Sequence, residues 1–387
     1  MSKQAQRTIY LDYAAATPLD DSVQQVMAPY LAKRFYNPSA SYIAARKVKA
    51  DTANARKQVA SHLGTRPGEI IFTSGGTEAN NLAIHGILQR FVGAHIVISA
   101  IEHESVRLPA SRYKYTEVPV NSQGIIDMDA LARSITDETA LISVMYANNE
   151  IGTVQPIRSI TALVQTVRAQ RIHTGNDLPL YVHTDAAQAT NYLDLHVSRL
   201  GVDMLSLGGG KIYGPKQSGM LYVKAGITLQ SQLLGGGQEN GLRSGTENVP
   251  GIIGFAQALT KAQNMHNSEA ERLAALQRNF IDKLCSALPQ CQINGSLKKR
   301  LPNNISVTVP GQDNERLLIQ LDEHGIMCAT GSACSASKKE SSHVLSALGL
   351  DDKTAQATLR FTMGRGTTAR DVDQTVSQLA ALVTATT

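Results

Sequence analysis

Short apolar runs punctuate the first half of the chain: EIIFTS (69–74), HIVISA (95–100), ALISVMY (140–146) and LPLYVHT (178–184). Each is too short for a helix and rich in Ile, Val or Leu, so each predicts a buried strand. Segments with apolar positions three and four apart, such as IRSITALVQTVRAQ (157–170), stand between them and predict helices. Strands alternating with helices predict an α/β fold with a mostly parallel sheet and crossover helices. Residues 249–288 then keep apolar positions at helical spacing for long stretches, which predicts a passage from this large domain into a second one. NNISVTVP (303–310), NERLLIQLDEHG (314–325), IMCATGSA (326–333), TLRFTMG (358–364) and ARDVDQTVSQLAALV (369–383) predict a smaller α+β domain. The expected division is 16–260 for the large domain, and 1–15 with 261–387 for the small one.

Chemistry-bearing residues gather where the apolar runs end. VDMLSLGGGKIYGPKQSGMLYV (202–223) reads as a strand, a glycine turn, a lysine, a Gly-Pro corner and a second strand. Lys211 is bracketed there by glycines that permit close approach of backbone or ligand. Desolvation would make its amine nucleophilic, as Schiff-base chemistry requires; the plainer alternative is a solvated lysine in a Gly-rich hairpin. In YVHTDAAQAT (181–190) a strand delivers Asp185 at its carboxyl end, where open α/β sheets place functional groups, although such an Asp also serves as a turn or helix cap. EIIFTSGGTEANNLAIHGIL (69–88) runs a strand through Gly75-Gly76-Thr77 into a helix. Main-chain N–H groups, a hydroxyl and a helix N-terminus thereby converge on a spot suited to an anion. The spacing is neither GxGxxG nor GxxxxGK[ST], which excludes those nucleotide fingerprints and leaves a phosphate on a smaller molecule.

Together with YLDYAAATP (10–18), IEHES (101–105), ANNE (147–150) and GSACSAS (331–337), these segments resemble the cysteine desulfurases, pyridoxal-phosphate enzymes of fold type I in the class V aminotransferase group. The likeness runs from residue 10 to the last helix. It implies a mostly parallel sheet of the seven-stranded type in the large domain. It implies pyridoxal 5'-phosphate in Schiff-base linkage to Lys211, with Asp185 at the pyridine nitrogen, where a carboxylate keeps the ring an electron sink. Gln188 and Asn149 would contact the phenolic oxygen, His103 would stack on the ring and assist proton transfer, and Gly76 and Thr77 would hold the phosphate. Thr246, in GGGQENGLRSGTENVP (235–250), matches a threonine that the family lends to the neighbouring subunit, which implies a homodimer. Asn37 in YNPSA and Arg360 in TLRFTMGR match the pair that binds the α-carboxylate of the substrate, L-cysteine, a role suited to an arginine fork. On their residues alone, Arg360 reads equally as a strand-end surface ion pair and Asn37-Pro38 as a turn starter.

Cys334 matches the nucleophile that takes sulfur from L-cysteine as a persulfide, leaves L-alanine and passes sulfur to an acceptor protein. Its run of small residues predicts an accessible thiol, whereas a lone cysteine is otherwise more often a small hydrophobe. Cys328, inside the same apolar run, is expected in the core, Cys285 on a helix and Cys291 in a short strand. Four cysteines without paired CxxC spacing argue against a structural zinc site and a secreted disulfide framework.

Three departures qualify the likeness. Gly208-Gly209-Gly210 stands where relatives carry a Ser or Thr and then a His before the lysine, so two side-chain contacts to the cofactor are expected to give way to backbone N–H groups, with weaker affinity. Lys338-Lys339 follows the cysteine loop where the family has Leu-Glu, which predicts either a lowered thiol pKa and an acidic acceptor or two solvated lysines. The chain ends soon after its final helix, which leaves the acceptor pathway open among iron–sulfur assembly, tRNA thiolation and DNA modification. Alternatives at this point are a selenocysteine or C–S lyase of the same fold, and a degenerate sulfur-transfer scaffold.

Composition fits an enzyme rather than a nucleic-acid binder. A net charge of +5 from 37 basic and 32 acidic residues is mild, and the basic stretch ARKVKADTANARK (45–57) reads as the solvated face of a helix, so no direct nucleic-acid contact is expected. No apolar run approaches the roughly 20 residues needed to span a bilayer, and MSKQAQRTIYL lacks a signal-peptide core, so a cytoplasmic location with no membrane contact is expected.

Overall fold

The described residues form twelve strands, in chain order β1 (Ile9–Tyr10), β2 (Ile70–Thr73), β3 (His95–Ser99), β4 (Lys114–Val118), β5 (Thr139–Ser143), β6 (Tyr181–Asp185), β7 (Met204–Gly208), β8 (Gly219–Val223), β9 (Gln292–Ile293), β10 (Asn304–Thr308), β11 (Ile326–Met327) and β12 (Thr358–Thr362). The structure, a computed structural model, describes residues 8–331 and 342–385. Seven strands form the main sheet in the order β2-β8-β7-β6-β5-β3-β4. Pairing is parallel from β7 to β4, while β8 is antiparallel to both β7 and β2, so β8 alone runs against the other six.

Every residue of β3, β5, β7 and β8 is buried, because helices cover both faces of the sheet. This explains why their sequences are continuous apolar runs rather than alternating ones. The edge strand β4 instead exposes Lys114 and Tyr115. The run 249–288 is one helix, Val249–Ala287, capped by the Asn248 side chain on the Gly251 N–H (3.1 Å) with Pro250 in its first turn. Ile252, Phe255 and Leu259 at its start pack into the core under the main sheet. Leu273, Phe280 and Leu284 further along enter a second core with Ile305, Leu359, Phe361 and the N-terminal Ile9 and Leu11. That second core lies on an antiparallel sheet, β12-β10-β9, and β1 pairs with β11 beside it.

Two details differ from the sequence expectation. Cys291 precedes β9 instead of lying in a strand, and Cys328 follows the two-residue β11 rather than sitting inside a longer one. Both are half-buried, and burial pushes their thiols up to about 11 and about 12, away from reactivity. Cys285 is on the long helix and exposed.

Candidate active site

Because β2, β3, β5, β6 and β7 share one direction, their carboxyl ends open on one edge of the sheet, the usual position of sites in open α/β folds. A cavity of about 210 Å³ lies there, lined by Gly76 and Thr77 after β2, His103 after β3, Asn149 after β5, Asp185 and Gln188 at the end of β6, Gly208 and Lys211 at the end of β7, and Arg360 from β12. Sequence reasoning singled out all nine. A wider depression of about 900 Å³ outside it shares Thr77, His103 and Ser105.

Lys211 ends a single turn, Gly209–Lys211, and its Nζ donates to the Ala15 carbonyl at 2.5 Å. The Lys211 carbonyl accepts from Asn191 Nδ2 (2.7 Å), and Thr17 Oγ1 donates to the Gly210 carbonyl (3.1 Å) while accepting from the Tyr213 N–H (2.7 Å). The loop is thus held from both sides, and it needs to be, since Tyr213 (φ 61°) and Gln217 (φ 56°) adopt left-handed backbone within it. A Cβ on Gly209 would lie 2.1 Å from Ser218 Oγ and 2.8 Å from the Pro215 carbonyl, so only glycine fits. The flanking positions are roomier: a Cβ would lie 3.3 Å from the Gly76 nitrogen at Gly208 and 3.6 Å from Lys216 Cγ at Gly210.

Asp185 is 9% exposed, and both oxygens are engaged, Oδ2 by Asn80 Nδ2 (2.7 Å) and Oδ1 by the Ala187 N–H (2.9 Å). Gln188 Nε2 donates to the Ala14 carbonyl at 3.0 Å. Behind the site, Glu102 is fully buried and accepts from the Met145 N–H at 2.7 Å. Burial pushes its carboxyl well above the ordinary range, and the charge of Asp185 adds to the shift. At the helix Gly76–Leu88 the cap is Gly75, which offers no side-chain hydrogen bond, and a Cβ on Gly75 or Gly76 would meet nothing within 4 Å. The first turn therefore presents N–H groups to open space.

Arg360 is 2% exposed and no surface ion pair: one Nη donates to Asp12 Oδ1 (2.6 Å), the other to the Asn149 carbonyl (3.2 Å), and its buried Nε has no partner among the described residues. Asn37 and Thr246 do not reach the cavity from within this chain. Both are exposed, and Asn37 Oδ1 accepts from its own turn, at the Ser39 N–H. Cys334 and Lys338-Lys339 lie outside the described residues. Residues not foreseen are Ala14, Ala15 and Asp12, from YLDYAAATP, and Asn80 and Ser105, which flank the predicted Thr77 and His103.

The pattern of the family described as aminotransferase class-V matches residues 9–375. The cysteine desulfurase IscS of Dictyoglomus turgidum is 39% identical over 384 residues, which cover 97% of this chain and 95% of that protein. Among solved structures, a NifS-like protein superposes with a TM-score of 0.89 at 30% identity, over 98% of this chain and 100% of that one. SspA in complex with cysteine superposes with a TM-score of 0.79 at 34% identity, over 92% and 99%. The chain belongs to the class-V aminotransferase family, and within it to the cysteine desulfurases that it matches over nearly its whole length.

Proposed function

We propose that this chain removes sulfur from L-cysteine with pyridoxal phosphate, releasing L-alanine and carrying the sulfur as a persulfide on Cys334. The observation that carries the reading is the meeting of Lys211, Asp185 and His103 with an uncapped helix N-terminus in one cavity. That donor set fits the cofactor: an amine, a buried carboxylate, a ring and an anion cradle. When bound, pyridoxal phosphate supplies the electron sink that labilises bonds around the substrate's α-carbon.

The protein supplies the rest. Backbone N–H groups at Gly76 and Thr77 would receive the phosphate, and Asp185, fixed by Asn80 and Ala187, would face the ring nitrogen and keep it protonated. Arg360 orients the substrate carboxylate, and the Lys211 amine takes the α-proton onto Nζ. The thiolate of Cys334 attacks the substrate sulfur; an S–S bond forms, the C–S bond breaks, and its electron pair stays with the carbon fragment, which takes up a proton on its way to alanine. With the cofactor and a reductant, alanine and sulfide are expected in equal amounts. Cys334→Ala is expected to lower both by about 10²-fold or more. Alanine formed by that variant at the original rate would sink the persulfide step and favour a selenocysteine-lyase type of reaction, whereas pyruvate in its place would favour a C–S lyase.

Two exposed apolar stretches support a homodimer. Leu31, Phe35, Tyr42 and Ile43 surround Asn37, and Leu233 and Leu234 lead towards Thr246, the two site residues missing from the cavity. In this reading a second copy buries both stretches and completes the site, and sedimentation of the cofactor-loaded protein as a monomer would refute it. Residues 16–260 would form the cofactor body, and 1–15 with 261–387 the second one; limited proteolysis that cuts within rather than between these bodies would count against the division. A persulfide needs a reduced thiol, which favours the cytoplasm and a sulfur-acceptor protein there. Finding the chain in an oxidising compartment would overturn that placement. Among the described residues no helix is long and apolar enough to cross a membrane.

The glycine run gives a further expectation. Gly208→Ser with Gly210→His should tighten cofactor binding by about 1.5–3 kcal/mol, the worth of a hydrogen bond to a charged group; Gly210 has room for a side chain, whereas at Gly208 the Gly76 backbone, 3.3 Å from the new Cβ, must give slightly. Titration of the apo-protein with pyridoxal phosphate measures this, and an unchanged affinity would show that backbone donors already suffice.

A further inference from the structure

A chain of hydrogen bonds joins Asp185 to His103 through two residues with no assigned role. Asn80 Nδ2 lies 2.7 Å from Asp185 Oδ2 and 2.9 Å from Ser105 Oγ. An amide nitrogen carries two hydrogens, and both are used. Ser105 Oγ therefore accepts from Asn80, and its single hydrogen is left for His103 Nδ1, 2.8 Å away. The same Nδ1 receives a second donor, the Ser105 backbone N–H at 3.1 Å, which makes His103 the cap of the helix Glu104–Ala110. Two donors aimed at one ring nitrogen require a lone pair there.

The direction of each bond originates at the carboxylate. Turning the Asn80 amide over would set its Oδ1 against Asp185 Oδ2, acceptor to acceptor. Asn80 is fully buried, and its Oδ1 has no partner among the described residues. A bare buried carbonyl costs free energy, so an amide that leaves it bare is held by the bonds its nitrogen makes.

We infer that Asn80 and Ser105 are positioning residues that transmit the carboxylate of Asp185 to His103 and hold its imidazole as the tautomer protonated at Nε2. The consequence for the proposed desulfurase rests on that reading. Neutral His103 offers a hydrogen-bond donor at Nε2 and cannot take a proton there, so removal of the α-proton falls to Lys211 alone. The other charged or titratable groups nearby include Lys211 and Arg360 across the cavity, the buried Glu102 next to His103 in the chain, Glu104 and its ion-pair partner Arg107 on the same short helix, and His343, whose Nδ1 lies 3.7 Å from Glu104.

The test is the ring ¹⁵N spectrum of histidine-labelled protein, with and without cofactor, at a mildly alkaline pH where imidazole is neutral. His103→Gln identifies the resonances. Wild type should show Nε2–H as the dominant form. Ser105→Ala, which removes one oxygen and leaves the helix turn intact, should lower the tautomer ratio by about fivefold, the worth of one ordinary hydrogen bond. Asn80→Ala should shift it the same way, and Asn80→Ser, which keeps a single donor, serves if the alanine variant does not fold. An Nδ1–H form in wild type, or an unchanged ratio in the variants, overturns the inference. Cysteine turnover is scored separately: its absence with the Nε2–H form present would sink the desulfurase reading and leave the relay standing.

Discussion

Replacing Lys211 with alanine is expected to lower alanine formation by about 10²–10⁴-fold, the usual contribution of a positioned acid–base group. The loss should be nearly pure in catalysis. The backbone at this position is held by Asn191 on its carbonyl and by Thr17 on the neighbouring turn, and these contacts survive the substitution. The side chain gives up its hydrogen bond to the Ala15 carbonyl, which sits at the cavity and can turn to water. The denaturation midpoint should therefore stay close to that of wild type while turnover collapses. Added small amines should restore part of the activity by entering the vacated volume. A variant that turned over cysteine within tenfold of wild type would remove Lys211 from the centre of the mechanism.

Arg360→Leu is expected to act on stability and on substrate binding together. Breaking a buried ion pair by removing one partner costs about 3–5 kcal/mol, because the other charge stays behind. Here the abandoned group is Asp12, while the Asn149 carbonyl loses one of two donors and keeps Asn304 Nδ2 at 3.3 Å. Chemical denaturation should show this as a lower midpoint, with an elevated KM for L-cysteine in the folded fraction. Arg360→Lys separates the two effects. It keeps the charge beside Asp12 but loses the planar fork, so it should recover much of the stability and little of the KM. Wild-type KM in both variants would mean that Asp12 and Arg360 form a structural pair only.

Much of the fold was legible in the sequence because burial on both faces writes itself as an unbroken apolar run. EIIFTS, HIVISA, ALISVMY and LPLYVHT all contain strands of the main sheet, and 249–288 is one helix shared by two cores. The cavity was legible for a related reason: its residues stand at strand ends, where a run stops and a glycine or carboxylate follows. Arg360 was less so, since it lies in the middle of β12 and an arginine within a strand looks the same in sequence whether it faces water or Asp12. The resemblance assigned Asn37 to the substrate carboxylate, and its exposed position away from the cavity could not be read from motif matching, which compares residues and not their placement.

By itself the sequence determined the α/β class, the strand and helix periods, the glycine turn that carries Lys211 and the acid that faces it, because these follow from local pattern over a few residues. The tertiary structure alone decided which distant groups complete the site. Ala15 meets Lys211 across 196 positions, Asp12 meets Arg360 across 348, and Asn80 meets Asp185 across 105. Such pairings carry no periodic signature, and they arise only when packing of the two cores brings the N-terminal segment, the strand ends and β12 to one edge of the sheet.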